Sequence, residues 1–167
     1  MDNIILIGMP GAGKSSMGVI LAKELGMRFV DTDLLIQEKE GRLLREILEQ
    51  EGVDGFLRVE ESVIASVRTE HSVIATGGSA VYSSRAMEHL RGQGMIVYLK
   101  LSYEPLSHRL GNLHNRGVVL REGQTLRDLY EERAGLYEAH ADIIIEEDGK
   151  DMEETLAAIL KVFRHTA

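Results

Sequence analysis

Near the start of the chain, Gly8-Met9-Pro10-Gly11-Ala12-Gly13-Lys14-Ser15 fits the pattern G-x-x-x-x-G-K-[ST]. A glycine-rich loop of this kind can wrap closely around phosphate oxygens, because glycine takes positive φ and has no side chain in the way. Its successive N–H groups form an anion nest, and a following helix N-terminus adds partial positive charge. Lys14 would reach the β- and γ-phosphates of a nucleotide, and the Ser15 hydroxyl would hold Mg²⁺. The backbone of Gly11, Ala12 and Gly13, with Ser16 just beyond, completes the expected nucleotide cradle.

Two aspartates follow at a second candidate position. Phe29-Val30 reads as a short strand whose carboxyl end is Asp31-Thr32-Asp33. Ligands of open parallel sheets bind outside the carboxyl ends of the strands. Asp33 also precedes Leu34-Leu35-Ile36, where it could be a helix N-cap. Glu60 falls within the apolar stripe Phe56, Val59, Val63 and Val67. An inward carboxylate at that place implies a partner or a ligand, and a solvated position at the stripe edge is the alternative. Gly77-Gly78 ends a third strand, Val73-Ile74-Ala75, where bare backbone lets a ligand approach. Residues 111–123 carry Arg116 and Arg121 among glycines and asparagines, just after Arg109. They read as a mobile basic segment in an acidic protein, suited to a lid that closes over phosphates. Arg133 lies on a later helix, four residues before Tyr137.

The elements needed to position these groups are legible in the apolar pattern. Ile4-Ile5-Leu6-Ile7 precedes the glycine-rich loop as a buried strand, and Met17, Ile20, Leu21 and Leu25 recur behind it at helical spacing. A helix is expected over about 42–50, a break from Gly52 to Gly55, and another helix from Phe56 to Val67. Further helices are expected at 83–91, 104–110, 126–139 and along Met152 to Phe163. Further strands are expected at 95–101 and 142–145. Strands alternate with helices, which predicts an α/β fold with a parallel sheet of about five strands.

The 167 residues suggest one domain, and 44% apolar with 28% charged residues is ordinary for a soluble globular protein. A net charge of −8 argues against a nucleic-acid partner, while a nucleotide needs only a local positive site. Cysteine is absent, which excludes disulfides, thiolate metal sites and a cysteine nucleophile. His71, His89, His108, His114, His140 and His165 show no metal-ligand spacing. No apolar run approaches a membrane span, and Met1-Asp2-Asn3 lacks a basic n-region, so neither a membrane partner nor a signal peptide is expected. A cytoplasmic location, where ATP is available, is the expectation. A regulatory GTPase would need N-K-x-D and D-x-x-G motifs, and neither is present.

The order Gly8–Ser15, Asp31-Thr32-Asp33, Phe56 with Glu60, Gly77-Gly78, Arg116 and Glu132-Arg133-Ala134-Gly135-Leu136-Tyr137 resembles shikimate kinase over nearly the whole chain. The resemblance implies a single P-loop kinase domain over 1–167 with strand order 2-3-1-4-5, an acceptor-binding helical region at about 33–62 and a lid at about 110–123. It implies ATP and Mg²⁺ as cofactors, a small-molecule acceptor and a monomer. In that reading Asp33 binds the acceptor hydroxyls and takes or orients the proton. Glu60, Gly77, Gly78 and Arg133 surround the acceptor, with Arg133 on its carboxylate. Arg116 comes from the lid onto the transferring phosphate, Arg109 lies near adenine, and Asp31 joins Ser15 in supporting Mg²⁺.

Four positions depart from the family pattern. Leu57 stands where an arginine follows the Phe, and the nearest arginine is Arg58, turned about 100° away on a helix. Ser79 replaces the usual third glycine, Gly117-Val118-Val119 replaces Pro and apolar residues, and Gly135 stands where Pro is common. The missing arginine would help clamp an acceptor carboxylate, at about 1.5–3 kcal/mol for a charge-assisted hydrogen bond. Two alternatives therefore accompany shikimate phosphorylation: a related kinase for another small hydroxylated acceptor, and a non-catalytic nucleotide-binding regulator.

Overall fold

A computed structural model describes residues 2–110 and 118–165. Five parallel strands form one sheet in the order β2-β3-β1-β4-β5. They are β1 (Asn3–Ile7), β2 (Arg28–Asp31), β3 (Ser72–Ala75), β4 (Gly94–Lys100) and β5 (Ile143–Glu146). The central strand β1 is buried at all five residues, as expected of a strand covered on both faces. It pairs Ile5 with Ile74 of β3 on one side and with Ile96 of β4 on the other.

Helices α1 (Lys14–Leu25) and α7 (Met152–His165) cover one face of the sheet. Met17, Leu21 and Ile159 pack there against Leu6, Val73 and Leu99. The opposite face is covered by α3 (Leu44–Ala65), α4 (Ser84–Arg91) and α6 (Leu126–His140). There Ile64, Met87, Leu129 and Tyr137 pack against Ile5, Ile74 and Tyr98. Helix α2 (Thr32–Glu40) and α3 share a third cluster of Ile36, Ile47, Phe56 and Val63 beside the sheet. The short α5 (Tyr103–Arg109) completes the set.

Two expectations about local structure are corrected. The N-cap of α2 is Asp31, whose Oδ1 accepts from the Asp33 N–H at 2.9 Å and the Leu34 N–H at 3.4 Å. Asp33 is in the first turn, so its carboxyl is not spent on capping. The expected break from Gly52 to Gly55 is a single non-helical residue, Gly52, at φ 71° and ψ −177°. Helix α3 resumes at once, because Gly55 and Phe56 are buried and packing holds the chain helical there. A third difference concerns the basic segment. Its described part is not a free surface loop: Val119 is buried with Ile36, Ile47 and Phe56, and Arg121 pairs with Asp54 at 3.1 Å.

Candidate active site

The carboxyl ends of β1, β2 and β3 converge on one cavity of about 370 Å³. Each end contributes a different chemistry. After β1, Gly11 and Gly13 take positive φ (85° and 83°) and turn the loop into α1. Lys14 is buried, and its Nζ donates to the carbonyls of Gly8 at 2.7 Å and Met9 at 2.9 Å. The ammonium thus closes the loop on itself. Burial pulls its pKa down to about 8, against the pull of Asp33, Glu147 and Asp31 in the other direction.

After β2, Asp31 and Asp33 diverge. The Ser15 hydroxyl donates to Asp31 Oδ2 at 2.8 Å, which joins the two residues expected to support Mg²⁺. Two hard oxygens beside a phosphate loop suit Mg²⁺, which keeps several waters and leans on substrate phosphates. Among the described residues no group of three or more His, Cys, Asp or Glu could hold a metal by itself. Asp33 faces the cavity. Burial and the neighbouring Asp31 charge push its carboxyl up to about 6, and Lys14 partly opposes them.

After β3, Gly77 and Gly78 are held against the site from both sides. A Cβ on Gly77 would stand 2.6 Å from Asp33 Oδ1 and 2.9 Å from Glu60 Oε2. One on Gly78 would stand 2.7 Å from Pro10 Cδ and 2.8 Å from Arg133 Nη1. Real Cβ atoms do not come that close, so a side chain at Gly77 would push the Asp33 and Glu60 carboxyls aside, and one at Gly78 would strike the rigid Pro10 ring. The same contacts show that the phosphate loop, both carboxylates and Arg133 meet at this turn. Arg133 is only 1% exposed. Its Nε donates to the Tyr82 hydroxyl at 3.3 Å and its Nη2 to the Val119 carbonyl at 3.1 Å, with the Tyr82 ring beneath the guanidinium. Tyr137 donates to the Gly78 carbonyl at 2.6 Å and so fixes the turn from below.

Glu60 is 2% exposed and faces inward, which decides between the two readings of its stripe. The Ser79 hydroxyl donates to its Oε1 at 2.6 Å, and Oε2 has no partner among the described residues. Burial pushes this carboxyl up to about 7, countered first by the Ser79 hydrogen bond.

The family model for shikimate kinase matches residues 10–164. The chain belongs to the shikimate kinase family. It is 42% identical over 149 residues to a shikimate kinase of Thiobacillus denitrificans, covering 87% of this chain and 81% of that one. A shikimate kinase of Sulfurihydrogenibium is 37% identical, with 96% of each chain covered. Among solved structures, a shikimate kinase from Acinetobacter baumannii in complex with shikimate superposes with a TM-score of 0.88 at 34% identity, covering 99% of this chain and 94% of that one.

The structure brings together Gly11, Gly13, Lys14, Ser15, Ser16, Asp33, Glu60, Gly77, Gly78 and Arg133 on the one cavity. Ala12 is buried within the loop. Arg109 stands at the edge of this family's phosphate loop, where its Nη1 donates to the Gly11 carbonyl at 3.3 Å. Arg116 lies outside the described residues. Sequence reasoning assigned no role to Ser79, Tyr82, Tyr137 or Glu147. Tyr137 carried a signal, since it ends the Arg-x-x-Leu-Tyr run, but its hydrogen bond spans 59 residues. Glu147 follows β5 and is buried, its Oε1 without a partner among the described residues; burial pushes it up to about 7, against the pull of Arg109 and Lys14. Nothing local in the sequence marks it.

Proposed function

We propose that the protein transfers the γ-phosphoryl group of ATP to a ring hydroxyl of shikimate, giving shikimate 3-phosphate and ADP. The observation that carries this reading is the meeting of Lys14, Asp33, Glu60 and Arg133 around Gly77-Gly78 on one cavity. Phosphoryl transfer asks for positioning and charge neutralisation more than for covalent chemistry. Arg133, fixed by Tyr82 and Val119, pairs with the acceptor carboxylate. Asp33 accepts a hydrogen bond from the hydroxyl that attacks, orients it and takes its proton as the P–O bond forms. Lys14 leaves the Gly8 and Met9 carbonyls for the phosphate oxygens. Arg116 adds charge on the transferring group, and Arg109 packs near adenine. Ser15 and Asp31 would hold Mg²⁺, which would supply neutralisation of the phosphate charge. The acceptor is small, and the protein acts alone as a monomer in the cytoplasm. Among the described residues no helix is long and apolar enough to cross a membrane.

One observation favours a second reading. Leu57 is half-buried with no charge to offer, and the Arg58 side chain is exposed beside a separate 130 Å³ cleft rather than in the main cavity. A kinase for another small hydroxylated anion would keep Arg133 and dispense with the second arginine. ADP release with Mg·ATP, followed across a wide range of shikimate concentration, separates the two. Saturable stimulation is expected. Intact ATP binding with no stimulation would assign the cavity to a different acceptor.

A further inference from the structure

Arg133 brings a full charge to the cavity wall with only 1% of the residue exposed. Among the described residues it forms no ion pair. The groups that hold it are neutral. Its Nε donates to the Tyr82 hydroxyl at 3.3 Å and its Nη2 to the Val119 carbonyl at 3.1 Å, and its guanidinium carbon lies 5.3 Å from the Tyr82 ring centroid. A buried charge without an ion pair is costly, so its neutral supports decide where it can sit. Tyr82 supplies two of the three. A ring face within about 6 Å attracts a cation, and does so more strongly where water is excluded.

The chain builds this support into the acceptor turn itself. Tyr82 closes a short 3₁₀ turn, Ala80–Tyr82, that follows directly on Gly77-Gly78-Ser79. Ala80 and Val81 are buried and pin that turn to the core, and the Tyr82 N–H donates to the Ser79 carbonyl at 3.1 Å. On its outer side Tyr82 borders the 130 Å³ cleft with Leu57 and Arg58.

The donors left over define how Arg133 can be used. A guanidinium can meet a carboxylate through its Nε–Nη2 edge or through its Nη1–Nη2 end. Tyr82 occupies Nε and closes the first route. Val119 takes one hydrogen of Nη2 and leaves the other. Nη1 stands beside the turn, 2.8 Å from where a Cβ on Gly78 would be, and donates to no described residue. The described side-chain atoms that are sealed without a partner belong to Thr32, Glu60 and Glu147, so Nη1 is open to the cavity. We propose that Tyr82 is a positioning residue whose hydroxyl and ring set Arg133 so that its Nη1–Nη2 end, and not its Nε edge, meets the anionic group of the acceptor. This deepens the proposed function and rests on it for the identity of the acceptor.

The test pairs variants with acceptors. Wild type, Tyr82→Phe and Tyr82→Leu are assayed with shikimate and with the analogue whose carboxylate is reduced to a primary alcohol. Loss of the ring from a buried cation predicts a KM for shikimate about thirtyfold higher in Tyr82→Leu. Tyr82→Phe keeps the ring and loses one long hydrogen bond, which predicts a rise of about fivefold. The kcat and the KM for ATP should change far less. Wild type should prefer the acid over the alcohol in kcat/KM, and the preference should shrink in Tyr82→Phe and further in Tyr82→Leu. An equal preference in all three would overturn the proposal, since a merely structural role would weaken both acceptors alike.

A second readout needs no acceptor and serves even if Tyr82→Leu folds poorly. In protein carrying ¹⁵N-labelled arginine, the Arg133 Nε–H signal is identified by its absence in Arg133→Lys. In Tyr82→Phe the hydrogen should exchange faster with water while the signal keeps its ring-current shift, and in Tyr82→Leu that shift should be lost as well. Exchange and shift both unmoved in the variants would sink the proposal whatever the acceptor. Movement in a protein that ignores shikimate would support the Tyr82–Arg133 unit and refute only shikimate as the substrate.

Discussion

At the residue scale, the site is a set of charges held by partners on other elements. Arg133 is the clearest case, since Tyr82 and Val119 take two of its donor nitrogens and fix its fork. Arg133→Ala should raise the KM for shikimate roughly ten- to a hundredfold, with ATP affinity changed little. Steady-state kinetics in both substrates would check this. Gly78→Ala should do comparable damage by a different route, because the new methyl would press on Pro10 and on Arg133. Most of these residues could be chosen from sequence, since each stands beside a recognisable strand end. Ser79 could not: a serine in place of a glycine reads as a loss until its bond to Glu60 is seen. Its partner lies on another element, and no local pattern encodes that distance.

At the scale of elements, one residue does two jobs at the start of α2. Asp31 caps the helix through Oδ1 and accepts from Ser15 through Oδ2. Asp31→Ala should therefore destabilise the apoprotein by about 1 kcal/mol through the lost cap. It should also weaken the Mg²⁺ dependence of turnover, whereas Asp31→Asn keeps the cap oxygen and should recover much of the stability. Denaturant unfolding and a Mg²⁺ titration of activity separate the two effects. The sequence marks the strand and both aspartates at its end but offers Asp33 as a possible cap, because both are good capping residues two positions apart. Only the backbone, extended at Asp31 (φ −110°, ψ 116°), distinguishes them. Helix α3 offers a similar lesson. Two glycines close to a predicted helix start suggested a gap, yet Gly55 packs inside the helix and Gly52 alone bends it. Strand order was carried by resemblance, while the apolar runs themselves marked all five strands to within a residue or so.

At the scale of the whole molecule, the carboxyl ends of the strands gather more buried carboxyl groups than burial favours. Asp33 is raised to about 6, and Glu60 and Glu147 to about 7. Each keeps its proton in the folded protein at a pH where the unfolded chain has released it. Between about pH 4.5 and 7 the folded state thus binds more protons, so stability falls as pH rises. A tenfold change in proton affinity corresponds to about 1.4 kcal/mol, so Asp33 and Glu60 together weigh on the order of a few kcal/mol at neutral pH. The melting temperature of the apoprotein should decline from pH 5 to pH 7, and bound ATP and acceptor should flatten the decline. A melting temperature that rises over this window would contradict the account. Function is held in a strained balance here: the same desolvation that unsettles Asp33 makes it a better partner for an attacking hydroxyl.

The proposed reaction places a phosphoryl donor against a hydroxyl of shikimate in one cavity, with Asp33 at the point of attack. The most direct measurement is ³¹P NMR of the products formed from Mg·ATP and shikimate by the wild-type protein and by Asp33→Asn. Wild type should give ADP and a single phosphomonoester coupled to one ring proton, and Asp33→Asn should form it at least about a hundredfold more slowly. Inorganic phosphate alone, or an ester formed equally fast by Asp33→Asn, would contradict it.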